Sequence, residues 1–129
     1  GDARRMTLAP PTSEDLTGFV PLFYFPRAVR LRLADEMPGL RRIWSVRCSC
    51  HEYRTLVFAG ADFCVSNALK PWDHAAGALA GSEAGGAVGL MDGRPYRASI
   101  TSGGSLVTAR SASVLAHIRA TMSALLDGA

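Results

Sequence analysis

Apolar and polar positions along this chain change period several times, and each change marks an element. Residues 16–25 (LTGFVPLFYF) form a β-rich run, and Pro21 inside it points to an edge strand or a bulge. From Arg27 the apolar positions Val29, Leu33 and Met37 recur four apart, which predicts an amphipathic helix stopped by Pro38-Gly39. Residues 41–47 (RRIWSVR) read as a short strand. A helix is expected over 49–59, with Tyr53, Leu56 and Val57 on one face and Gly60 ending it. Residues 61–65 (ADFCV) are another short strand. Pro71 stands where a helix opens, since its missing N–H costs nothing there, and Gly85-Gly86 close that helix. Residues 87–91 and 104–108 read as strands, with a turn at Asp92-Gly93. Ser111 or Ser113 caps a last helix carrying Val114, Ile118, Met122 and Leu125 on one face, with Gly128 after it.

About five strands and four helices in alternation, with neither repeat nor linker, predict an α/β fold: a mixed β-sheet flanked by helices. Short strands and an edge proline argue against a purely parallel sheet. The 129 residues suffice for one core. At 48% hydrophobic and 19% charged residues the chain is a compact folded domain. No apolar run reaches the length of a membrane span, roughly 18–20 residues, and GDARRMTLAPP lacks the apolar core of a secretion signal. The sequence does not start with methionine, so Gly1 reads as the interior of something longer.

The formal charge of +3 comes almost wholly from arginine, with Lys70 the only lysine. The arginines are scattered among acids and do not interleave with aromatics, so nucleic acid is not the expected partner. Cys48, Cys50 and Cys64 form neither an even set nor a C-x-x-C pair, and read as free thiols in the cytoplasm. Cys48-Ser49-Cys50-His51 lacks the second ligand pair of a zinc site.

Segment 70–87 (KPWDHAAGALAGSEAGGA) carries the candidate chemistry. Asp73 lies in a helix first turn, where free N–H groups and the helix dipole stabilise negative charge. Two roles stay open for it, an ordinary cap or a ligand. Gly77 and Gly81 share one face with several alanines, at a cost of roughly 1 kcal/mol per glycine, so this helix must approach a neighbour closely. Such packing would aim Asp73 rigidly, which suits a hard cation such as Mg²⁺. His51 and Glu52 are adjacent on a helix, point about 100° apart and do not pair. His74 either lines the same site or is a solvated or capping residue.

Trp72, Asp73, Ala75, Ala76 and Gly77, followed by Glu83, Ala84, Gly85 and Gly86, resemble the W-D-x-A-A-G … E-A-G-G signature of the inositol monophosphatase family. Ala59-Gly60-Ala61-Asp62 is similar to that family's G-x-x-D. Segment 47–60 aligns with its strand-to-helix turn and the helix that follows. The resemblance covers essentially the whole chain, residues 1–129, and corresponds to the C-terminal lobe of the layered α/β sugar-phosphatase fold.

The resemblance implies a Mg²⁺-dependent phosphomonoesterase. Asp73 matches a metal ligand, Trp72 its packing neighbour, and Cys48 and Ser49 fall where the family's turn meets the substrate. The family's other metal ligands, in a Glu-Glu pair and a D-P-I-D-G-T segment, belong to an N-terminal half, and neither motif occurs here. Ser66 replaces a glutamate that contacts sugar hydroxyls in many members, so the expected substrate is inositol phosphate or another small sugar or polyol phosphate. Partners expected on this basis are that substrate, the missing half and, as in many members, a second copy. Membrane and nucleic acid are not expected. The alternative function is a freestanding, non-catalytic domain serving as a binding or oligomerisation module.

Overall fold

A computed structural model describes residues 7, 16–36 and 40–127. The elements are β1 (Leu16–Phe19), a 3-10 turn (Leu22–Tyr24), α1 (Arg27–Glu36), β2 (Leu40–Trp44), α2 (Ser49–Val57), β3 (Phe63–Ser66), α3 (Pro71–Glu83), β4 (Ala87–Leu90), β5 (Leu106–Ala109) and α4 (Ala112–Asp127). The five strands make one sheet in the order β2-β1-β3-β5-β4. β1 runs parallel to both β2 and β3, whereas β5 is antiparallel to β3 and β4. The sheet is therefore mixed, as the sequence predicts.

Helices cover both faces. Val29 and Leu33 of α1 and Val114, Ile118 and Met122 of α4 bury against Leu16, Phe63, Val65 and Val107 on one side. On the other, Leu56 of α2 meets Phe19 and Cys64, and Ala78 of α3 meets Leu90 and Leu106. All four residues of β3 and of β5 are buried, as befits strands sandwiched on two faces.

Three local expectations need correction. Pro21 marks no edge: β1 stops at Phe19, sits between two partners, and Pro21 falls in the turn beyond, where no ladder needs its N–H. The antiparallel component comes instead from β5. Helix α2 is not ended by glycine in the left-handed region, because Ala59 takes that conformation at φ 63°. Gly60 N–H donates to Thr55 O at 2.8 Å and Ala59 N–H to Leu56 O at 3.0 Å, the paired bonds of a Schellman closure. Val57 is only half-buried. The expected stop at Pro38-Gly39, Met37 and Gly128 lie outside the described residues.

The remaining ends follow expectation. Pro71 is the first residue of α3. Gly85, at φ +92°, closes that helix as Gly86 N–H reaches Gly81 O at 2.9 Å. Ser111 caps α4, its Oγ accepting from Val114 N–H at 3.2 Å.

Candidate functional site

The parallel strands β1, β2 and β3 all end at one edge of the sheet, and the chain leaves them into a crevice of about 470 Å³. α2 and α3 begin there, so both helix N-termini open on the same space. Its walls include Arg47, Cys48 and Ser49 from the β2–α2 connection and Ser66, Asn67, Asp73 and His74 from β3 and α3. In α/β sheets, ligands bind in the crevice beyond the carboxyl ends of the strands.

Asp73 is exposed in the first turn of α3. The N-cap is Lys70, with no side-chain cap. Among the described residues the Asp73 carboxylate has neither hydrogen-bond nor ion-pair partner, so it stands open to the crevice and does not cap its own helix. Its placement follows from the small residues behind it. A Cβ on Gly77 would strike the Tyr53 ring, and one on Gly81 would come within 2.7 Å of Thr108 Cγ2. α3 thus lies flush against α2 and β5, the close approach its composition predicts. Trp72 does not pack on its neighbour: it is 80% exposed, with Lys70 Nζ 5.8 Å from the ring centroid.

Cys48 is the N-cap of α2 and Ser49 its first residue. Both line the crevice half-buried. The turn before them is fixed by Glu52, which is buried, accepting from Ser45 Oγ at 2.9 Å and Val46 N–H at 3.0 Å through Oε1. Arg47 adopts φ 57° and lays its guanidinium over Phe23, 4.7 Å from the ring centroid. His51 is exposed while Glu52 is buried, so the two diverge as expected.

His74 is only 5% exposed and both ring nitrogens are engaged. Nε2 lies 2.7 Å from Ala68 O and Nδ1 3.2 Å from Tyr53 Oη. Burial pushes the Tyr53 phenol above its usual range, so it stays protonated. Asp62 sits at the far end of β3, away from the crevice. There it accepts from Thr17 N–H at 2.8 Å and pairs with Arg110 at 2.9 Å, a clasp between β1, β3 and the end of β5.

Sequence reasoning had no means of finding the crevice-lining role of Ser45 and Asn67, which depends on strand order. The Tyr53–His74 contact left one signal, a glycine one turn after His74. Among the described residues no group of three or more His, Cys, Asp or Glu side chains could hold a metal ion, and no helix is long and apolar enough to cross a membrane.

A doubly covered mixed sheet with its crevice at the carboxyl ends of parallel strands defines an α/β lobe with a ligand-binding edge. The chain belongs to the inositol monophosphatase family, whose sequence profile matches residues 7–124. The same fold occurs in an IMPase of Thermotoga maritima, at 19% identity and TM-score 0.74, covering 98% of this chain and 48% of that one. An inositol monophosphatase from Zymomonas mobilis superposes at 18% identity and TM-score 0.71, covering 91% and 46%. A staphylococcal IMPase-II does so at 15% and 0.72, covering 98% and 52%. The chain therefore spans about half the length of these structures. No curated protein sequence matches it.

Proposed function

We propose that this chain is the C-terminal half of a Mg²⁺-dependent phosphomonoesterase that hydrolyses inositol phosphate or a related small sugar or polyol phosphate. The observation that carries the proposal is the unpartnered Asp73 carboxylate at the mouth of a crevice between two helix N-termini. Staphylococcal IMPase-II has been solved with inositol monophosphate and with 2′-AMP. Both are phosphate monoesters, which supports that substrate class.

One open carboxylate does not make a Mg²⁺ site, which requires near-octahedral oxygen donors. Glu52, the other acid in the crevice wall, is already committed to Ser45 and Val46. The described residues alone therefore do not fit the metal, and the proposal assigns the remaining ligands to an N-terminal half of the same protein. The present chain would contribute Asp73 as one ligand. It would also supply the backbone around Cys48 and Ser49 as a substrate contact, through first-turn N–H groups that lack intrahelical acceptors. The free thiols accord with a reducing, cytoplasmic setting, and a homodimer belongs to the same proposal. The exposed side chains of Trp72 and Leu79 on α3 favour, as a second reading, a non-catalytic binding or oligomerisation module of the same fold.

Two measurements separate the readings. Coding DNA ahead of the Gly1 codon should carry an in-frame D-P-x-D-G-T, and the full-length product should release phosphate from sugar or polyol phosphates with Mg²⁺. Asp73→Asn in that product should lower kcat by about 100-fold or more with the fold intact. Near-normal turnover would remove Asp73 from the site, and a start codon directly before Gly1 would favour the binding module.

A further inference from the structure

Two of the connections that line the crevice, β2–α2 and β3–α3, are each tied down by one of two consecutive residues of α2. Glu52 holds the β2–α2 turn, as described above. Tyr53 reaches the other way, across Gly77, to His74 of α3. From His74 the contact continues to Ala68 O, in the loop between β3 and α3. A carbonyl oxygen can only accept, so the nitrogen 2.7 Å from it carries the proton. In a neutral imidazole Nδ1 is then the acceptor and the Tyr53 hydroxyl the donor.

We infer that His74, locked by Tyr53 as the Nε2–H tautomer, is a positioning residue that fixes the loop 67–70 and with it the direction of the Asp73 carboxylate. Three observations carry this. The loop between Ser66 and Pro71 is short, and among the described residues its one side-chain tie from α3 is His74 Nε2 to Ala68 O. The Tyr53 ring leaves no space at residue 77 for any side chain, so glycine there gives the hydroxyl its route to the imidazole. The ring also meets His74 edge-on, with centroids 5.9 Å apart and planes at 68°, so the imidazole cannot flip without displacing it. The Asp73 carboxylate, next to His74, has no hydrogen-bond or ion-pair partner among the described residues. Its aim is inherited from the first turn of α3. A merely space-filling histidine would need neither a fixed tautomer nor a donor behind it.

The test uses the chain as it is. Long-range ¹H–¹⁵N correlation should show His74 as the Nε2–H tautomer with a slowly exchanging proton. His74→Gln keeps a donor for Ala68 and an acceptor for Tyr53, so the backbone amides of 67–70 and Asp73 should stay near their wild-type shifts. His74→Leu fills similar volume without either bond and should move those amides. An Nδ1–H tautomer, or unmoved amides in His74→Leu, would overturn the inference. Should His74→Leu not fold, the wild-type tautomer and Tyr53→Phe decide: the latter must shift the His74 ring signals and the 67–70 amides. The activity arm rests on the phosphatase proposal. In the full-length product His74→Gln should retain at least about tenfold more kcat than His74→Leu, with KM changed less. A wild-type product without phosphatase activity would refute that proposal while leaving the spectroscopic result to judge His74.

Discussion

Replacing Gly77 with alanine sets two effects of opposite sign against each other. Inside a helix alanine is favoured over glycine by about 1 kcal/mol, so propensity alone predicts a more stable protein. The structure predicts the reverse. The new Cβ would overlap the Tyr53 ring at Cγ and Cδ2, and would stand 2.7 Å from Cδ1. Cγ is one bond from the Tyr53 Cβ, so no rotation about χ2 clears it. The far end of the same ring is held by His74 at 3.2 Å. Relief must come from parting α2 and α3, and overpacking of this kind costs about 1–3 kcal/mol. If the hydroxyl leaves His74, a buried acceptor is stranded at a further cost of about 1–3 kcal/mol. Gly77→Ala should therefore lose about 2 kcal/mol net, read as a lower urea midpoint at unchanged m-value by far-UV circular dichroism. In a Tyr53→Ala background the space is open, and the same substitution should gain about 1 kcal/mol. Equal or greater stability of Gly77→Ala with Tyr53 present, or the same loss in both backgrounds, would refute the proposed contact.

Three further outcomes follow from the geometry. Ala59→Gly should stabilise the chain by about 1 kcal/mol, because the left-handed φ of 63° strains alanine and not glycine; a drop in Tm would contradict the Schellman closure of α2. Arg110→Met should cost about 3 kcal/mol, since Asp62, nearly buried, would keep its charge without the guanidinium 2.9 Å away; urea unfolding measures the loss. Asp92 is held below the usual aspartate range by the Arg94 backbone N–H and then by its guanidinium. A depressed folded pKa adds stability that is present above the ordinary aspartate range and is lost as pH falls through the folded value. A carboxyl NMR titration should show that low midpoint, and Arg94→Ala should return it toward the ordinary range.

Much of this molecule was legible in the sequence because its signals are local. Periodicity located α1, α2 and α4, and proline and glycine set the limits of α3. The strand expected over 16–25 is too long, and Pro21, read as a sign of an edge or a bulge, lies beyond it, because an apolar run looks alike as a strand and as the 3-10 turn that follows. Only pairing to both β2 and β3 shows that β1 is interior. Glycine spacing at 77 and 81 correctly announced a close approach, yet it could not name the neighbours, since Tyr53 and Thr108 come from 24 and 27 residues away in sequence. Asp73 was conspicuous through its motif. The engagement of His74 with Ala68 and Tyr53 was hidden, because a buried histidine and a solvated one are the same letter.

The charge balance of the crevice bears on what completes it. Two helix N-termini face the space, each equivalent to about half a positive charge, and Arg47 stands at the rim with a full one. Against these the wall offers Glu52, already spent on Ser45 and Val46, and Asp73. These charges roughly cancel, so the described wall gives a divalent cation little reason to stay. On the proposed function the other half must therefore bring several carboxylates, enough to make the space negative locally, while the helix ends of this half remain to face the phosphate ester. Metal affinity and substrate affinity would then arise from opposite sides of one crevice. The isolated chain should accordingly show no tight Mg²⁺ site by calorimetry, and micromolar binding to it would mean that the cation needs nothing from elsewhere.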